Sequence, residues 1–314
     1  MHTRVRALLF WLSTLSKQED VGSSASQFGH PHVFLSVTRY MRTYKAEIIP
    51  YNIVCASGRS TDIFPLVRND VGKYSMLCVS PIHGRSFVLK QREDRWVIGK
   101  GNGLSYTSHA YLLTSHFHGD TWGGLSLENA MRDFNIGNEI RELGIKTNNM
   151  KYVLGLDYEI YQGGNKHQAA LLQYSVECPY RISDFGFMPK KMLHVCVAKW
   201  NNTYPEKYLC AAEIIISNLR TLHDNGIMHN AVHPQNYTWR LELLDFEASR
   251  SNTYPYDNKE YEAFVPMLIE AEIIQSYEII NYIAWCLNEI PDFHLLEQLY
   301  NKFGYDISDM TIIN

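Results

Sequence analysis

Two oxygen-bearing side chains nine positions apart, Asn236 and Asp245, carry the strongest chemical signal in the chain. An amide and a carboxylate are hard oxygen donors. Mg²⁺ takes such a pair from a protein and keeps its other positions for water and phosphate oxygens. They belong to a stretch that runs Leu222-His223-Asp224-Asn225-Gly226-Ile227-Met228-His229-Asn230-Ala231-Val232-His233-Pro234-Gln235-Asn236-Tyr237, then Leu241-Glu242-Leu243-Leu244-Asp245-Phe246-Glu247. The first part reads as a helix end followed by a polar loop, the second as a short apolar strand ending at an acid. A tight hairpin between them puts Asn236 and Asp245 on adjacent strand ends. The plainer reading is a polar loop and a buried hairpin without chemistry.

The order of these residues resembles that of a protein kinase, in which a His-Arg-Asp-Leu-x-x-x-Asn loop precedes a short strand pair and Asp-Phe-Gly. His229 takes the His place, Asn236 the Asn place, and Asp245-Phe246-Glu247 the place of the third motif. Two positions depart from it. The catalytic Asp of a kinase falls on Ala231, and the last Gly on Glu247. Asp184-Phe185-Gly186 spells the third motif literally, but it precedes the Asn loop instead of following it, and it reads as a turn or strand end.

The elements that must position these residues change character along the chain. Ala46 to Ala56, Tyr74 to Val79, Tyr152 to Ile160 and Ala169 to Val176 read as extended, as does His32 to Thr38. Ser86 to Lys90 and Trp96 to Ile98 predict a hairpin whose turn is Gln91-Arg92-Glu93-Asp94-Arg95. Leu125 to Leu143 has helical spacing, and Gly144 is a natural stop. Tyr208 to His223 and His294 to Phe303 read as helices, and Glu260 to Leu287 as one or two more. The expected fold is α+β and two-lobed, protein-kinase-like, with an N-terminal extension: residues 1–30 a helix and linker, 31–190 a strand-rich lobe, 191–314 a helical lobe.

Several further segments resemble the selenoprotein O (YdiU) family. They are Gly84-Arg85-Ser86-Phe87-Val88; Trp96 to Thr107 with its Lys100-Gly101-Asn102-Gly103; Met131-Arg132-Asp133-Phe134 through Leu143-Gly144-Ile145; and Ala169 to Arg181. That family has a kinase-like fold, lacks the usual catalytic Asp, and transfers AMP to protein hydroxyls. The resemblance implies ATP with Mg²⁺ (or Mn²⁺) as cofactors and a protein or peptide substrate. It implies Lys100, with Gly101 and Gly103, as the phosphate-contacting segment and Asp133 as the helix acid holding that lysine, with Glu139 or a water able to share the role. Arg181 takes the place of the second phosphate-binding arginine; Gln173 or Tyr174 stands near the place of the first. Asn236 and Asp245 are the metal ligands. The family's acid before the metal Asn is Gln235 here, so the general base falls to His233 or His229, with His233 favoured. A catalytically impaired pseudokinase, binding a partner rather than turning over, fits the same departures.

The remaining signals bound the function. A formal charge of −4 and no long basic run give no support to a nucleic-acid partner. The apolar run Ala7 to Leu12 is too short to span a bilayer. The six cysteines form no Cys-x-x-Cys and read as buried thiols, which fits a cytoplasmic location. His116-Phe117-His118-Gly119-Asp120 has metal-like residue types without a further ligand set, and reads as a loop over the nucleotide.

Overall fold

Alternating strand residues in the first half build an antiparallel sheet. Its strands are β1 (Arg42–Ile48), β2 (Tyr51–Ala56), β3 (Leu66–Arg68), β4 (Tyr74–Cys78), β5 (Ser86–Gln91), β6 (Trp96–Lys100), β7 (Asn149–Gln162) and β8 (Asn165–Val176), in the order β2-β7-β8-β6-β5-β4-β1-β3. The helices are α1 (Leu127–Glu142), α2 (Lys190–Val197), α3 (Lys207–Asp224), α4 (Val265–Leu287) and α5 (Phe293–Lys302), with 3₁₀ turns at Ile182–Phe187 and Pro234–Asn236. The chain is therefore α+β. This computed structural model describes residues 41–58, 62–80, 84–92, 94–104, 121, 123–255 and 263–308. They all fall in a unit running Val37–Asn314. The expected N-terminal helix, the extended run from His32 and the loop 116–120 lie outside the described residues.

The run read from the sequence as one extended segment, Ala46 to Ala56, is two strands broken at Ile49-Pro50. Proline lacks the N–H that a continuous ladder needs. The two halves then separate: β1 pairs with β3 and β4, whereas β2 pairs with β7 at the other end of the sheet. Only Ile49 and Pro50 connect them, so β2, at one edge of the sheet, and β1, next to the other edge, cannot be more than about 11 Å apart at that link. The sheet is thus strongly curved, and Ile49 packs on the cluster of Tyr152, Leu154, Leu156 and Leu171.

Local chemistry fixes the long hairpin and the helix beside it. Gly163 and Gly164 both take positive φ, 57° and 77°, the two-residue turn that matches strand twist. Ser126 caps α1 by accepting from Asn129 N, and Gly144, at φ 83°, ends the segment where the sequence predicted. Helix α1 buries Ala130, Phe134, Ile136 and Ile140, and it packs on β7 and β8. Helix α3 packs on α4 through a core that includes Ile215, Ile216, Leu219, Ile279 and Ile283.

Gly137 marks the closest approach of α1 to what lies beneath it. A Cβ there would stand 3.0 Å from the Phe246 ring and would also meet the end of Met150. Gly137→Val gains a few tenths of a kcal/mol of helix propensity but overpacks this contact at a cost of about 1–3 kcal/mol. A lower urea midpoint is the expected outcome; an unchanged or raised midpoint would show that α1 is not seated on Phe246.

Candidate functional site

Lys100 ends strand β6 and is 2% exposed. Its neighbours across the ladder are Leu172 in β8 and Ser86 in β5. Its Nζ lies 2.6 Å from Asp133 Oδ2, 2.6 Å from Asp245 Oδ1 and 2.6 Å from Glu247 Oε1. An ammonium has three protons to donate, and three carboxylates surround this one. Asp133, on α1, uses its second oxygen to accept from Phe246 N at 3.2 Å, which ties the helix to the segment carrying the other two acids. Arg85, just before β5, pairs with Glu247 and donates to Gly124 O at 3.1 Å. Arg132 donates to the Glu247 carbonyl at 3.1 Å.

The charges hold one another. Burial alone pushes Lys100 towards neutrality, but Asp133, Asp245 and Glu247 outweigh it and hold the ammonium well above its ordinary pKa. Burial also pushes Asp245 up, and there Lys100, Arg181 and Arg85 prevail, so its carboxyl stays far below the usual range. In Asp133 burial wins over the pull of Lys100, and the carboxyl is pushed up to about 6. Asp245 itself sits at φ 69°, a left-handed conformation unusual for a residue with a side chain.

The expected loop closes as a short hairpin. Leu244 N donates to Asn236 O at 2.9 Å, which brings Asn236 beside the residue preceding Asp245. The Asn236 amide donates to Ala231 O at 2.9 Å, turning its nitrogen back into the loop. His229 is fully buried, hydrogen-bonded to Leu244 O at 3.0 Å and packed edge-on against Phe246 with ring centroids 5.4 Å apart. That is the geometry of a supporting residue. His233 accepts from Gln235 N through Nδ1 at 3.2 Å. In the neutral ring this places the proton on Nε2, so the basic lone pair faces the backbone. Burial, and then His229, also depress its pKa. His233 can act as a base only by giving up its bond to Gln235.

Arg181 donates to Gln235 O at 2.8 Å, while its own N–H is capped by Asp184 Oδ2 at 2.7 Å. Asp184 thus does structural work at the start of a 3₁₀ turn. Gly101 and Gly103 adopt φ 90° and 111°. A Cβ on Gly101 would meet Ala170 O at 2.7 Å, and one on Gly103 the Arg68 Cβ at 2.8 Å. Their N–H groups already donate to Arg85 O and Gly123 O. They let the chain turn away behind Lys100 and present no free N–H to a phosphate.

Beside the cluster lies an apolar cleft lined by Val88, Ile98, Tyr174, Cys178, Arg181 and Leu244, among others. Its free volume is about 20 Å³, room for little more than one water. Any flat ring entering here must displace side chains, with Tyr174 the bulkiest of those six.

Asp133, Asp245 and Glu247 offer three oxygens within 4.8 Å of one another. Hard oxygen donors with this much negative charge suit Mg²⁺ or Mn²⁺. The residues fit such an ion provided that Lys100 moves from the centre of the cluster. The structure brings Lys100, Asp133 and Asp245 together, while Glu139 has no place among these acids. Glu247 and Arg85 were missed as site residues. The sequence marked Glu247 only as a departure, and the signal for Arg85 was the Gly84-Arg85 pair before β5.

No family model matches the chain, and no curated protein matches it. Among solved structures, a kinase domain of a Toxoplasma gondii rhoptry antigen is similar at 11% identity and a TM-score of 0.30, over 74% of this chain and 76% of that one. The selenoprotein O family does not emerge from these comparisons. Among the described residues, no helix is long and apolar enough to cross a membrane.

The cluster generates a stability prediction. Lys100→Met leaves three carboxylates around an apolar side chain and should cost about 3–5 kcal/mol in urea unfolding. Adding Glu247→Gln removes one of those charges, and the double variant should be more stable than Lys100→Met alone. A double variant less stable than the single one would show that Glu247 and Lys100 are not coupled in this way.

Proposed function

We propose that this chain is an ATP- and divalent-metal-dependent transferase of protein-kinase-like fold. We further propose that it transfers AMP rather than phosphate to a hydroxyl of a protein or peptide in the cytoplasm. The observation that carries the reading is the strand-end Lys100 held between the helix acid Asp133 and Asp245 at 2.6 Å each. A kinase site requires a strand lysine paired with a helix acid and a metal-binding acid beside them. The loop Asn236 is paired through its backbone to Leu244, the residue before Asp245, and on this reading it is the second metal ligand. On this reading 31–190 is the strand-rich lobe and 191–314 the helical one, and the apolar cleft between β5, β6, β8 and Leu244 takes the base.

In this scheme Lys100 moves off the carboxylates to contact phosphate oxygens, and Arg181 supplies a second cation at the cleft. Asp245, Asn236 and Glu247 would hold the metal, which neutralises phosphate charge when bound. The preference for AMP rests on the motif resemblance and on Ala231, which stands where a phosphate-transferring kinase carries its acid; Gln235 stands where the resembled family carries its own and favours the second reading below. Loss of a positioned base lowers rate roughly 10²–10⁴-fold without abolishing transfer.

A second reading has its own observation. Lys100 Nζ lies 2.6 Å from each of three carboxylates, and the cleft is nearly closed. This favours a pseudokinase that binds a partner in this closed form. Incubation with α- and γ-labelled ATP and a protein acceptor separates the readings. AMP transfer puts α-label, and no γ-label, on the acceptor, and Asp245→Ala should abolish it. Transfer of γ-label alone would overturn AMP transfer; no transfer from either position, with nucleotide still bound, would leave the pseudokinase reading.

A further inference from the structure

All six cysteines are free thiols, and all but Cys55 are buried. Two of the buried ones, Cys178 and Cys196, bring their sulfurs within hydrogen-bond reach of each other. Cys178 follows β8 and lines the apolar cleft, and Cys196 stands in the last turn of α2. One hairpin holds both segments. It is the hairpin that closes through Tyr237 and Leu243 and carries Asn236 and Asp245 at its ends. From its turn, Arg240 donates to Cys196 O at 3.2 Å and to Glu177 Oε2 at 2.7 Å. Two residues on, Glu242 accepts from Glu177 N at 2.9 Å and from Cys178 N at 3.4 Å. The meeting of the two sulfurs is thus fixed through the backbones that carry them. Of α2 only Cys196 and Val197 are buried, which leaves the helix free to shift. Sulfurs already in hydrogen-bond contact need to close by only about 2 Å to bond.

The two thiols are unlike. Cys178 has two acceptors for its proton, the Cys196 sulfur and Tyr180 O at 3.5 Å. Burial, and then Cys196, push the Cys178 thiol well above its ordinary pKa. The Cys178 S–H pulls the Cys196 pKa down against burial, and Arg240 adds to the pull. The carbonyl end of a helix disfavours an anion, but here Arg240 bonds to the carbonyl of Cys196 itself. A thiolate is the form that attacks peroxides, and a second thiol beside it resolves the product into a disulfide. Thiol pairs of this kind in a reducing compartment are transient and redox-sensing rather than permanent staples.

We propose that Cys178 and Cys196 are a redox couple, which a peroxide converts from two thiols into one reversible disulfide. The Cys196 thiolate attacks one oxygen of hydrogen peroxide. The O–O bond breaks, an S–O bond forms, and the other oxygen leaves as hydroxide, which takes the proton that Cys196 gave up and becomes water. The Cys178 sulfur then attacks the Cys196 sulfur. The S–S bond forms, the S–O bond breaks, and the leaving hydroxide takes the Cys178 proton as a second water. Two electrons pass from the two sulfurs to the two peroxide oxygens, and a dithiol reductant returns them. The bond forms in the wall of the cleft and does not depend on the chemistry of the Lys100 cluster.

The test exposes the full, folded chain to a small excess of hydrogen peroxide, blocks the remaining thiols by alkylation, and maps tryptic peptides without reductant. Cleavage after Arg181 and Lys191 puts the two cysteines in different peptides. A linked pair of these peptides, lost on adding dithiothreitol, is expected to form at least about tenfold faster than Cys55 oxidises. Exposure alone would select Cys55, which is half-buried and whose thiol burial pushes up. In Cys178→Ser, a cyclic 1,3-diketone should trap Cys196 as its sulfenic acid; in Cys196→Ser, Cys178 should stay reduced. The wild-type map decides even where a variant fails to fold. Absence of the linked peptides, their formation only in urea, or oxidation of Cys55 first would overturn the proposal.

Discussion

An ammonium and three carboxylates that share one buried spot must arrive together, because any one of them left alone would be an uncompensated charge in a medium of low dielectric constant. Lys100 is 2% exposed and Asp133 1%. Their burial is tolerable only because Asp245 and Glu247 come to the same point and Arg85 pairs with Glu247. The cluster therefore constrains the strand, the helix and the loop hairpin that deliver its members. It also sets the chemistry: the charges that Lys100 neutralises in this state are the ones that a divalent cation would neutralise in its place.

The rest of the fold serves that convergence. The β5–β6 hairpin carries Lys100 to the end of a buried strand, and β8 flanks it. Helix α1, capped by Ser126 and ended at Gly144, holds Asp133 over the segment Asp245 to Glu247 through the bond to Phe246 N. Gly137 lets the helix descend onto the Phe246 ring, and His229 packs against the same ring. Phe246 is thus the apolar counterpart of the cluster, with α1 on one side and the loop histidine on the other.

Much of this arrangement was legible in the residues. The helix at Leu127–Glu142, the β5–β6 hairpin, and helices α3 and α5 follow periodicity and turn residues, which are local signals. The meeting of Lys100 with Asp133 was implied by motif resemblance. What stayed hidden was long-range or depended on side-chain valence. The separation of β1 from β2 is decided by pairing with β4 and β7, which no local pattern records. Glu247 read as a lost glycine, and only its reach to Lys100 and Arg85 gives it a role. Gly101 and Gly103 read as a phosphate cradle, whereas their N–H groups are occupied by Arg85 O and Gly123 O. His233 read as a base, and the Gln235 N–H takes the lone pair that such a base would need.

The most direct measurement is isothermal titration calorimetry of ATP into the protein with and without Mg²⁺, for the wild type and Asp245→Asn. Binding should need the metal and weaken by at least about tenfold in the variant. Equal binding by both proteins, or no binding by the wild type with Mg²⁺ present, would contradict it.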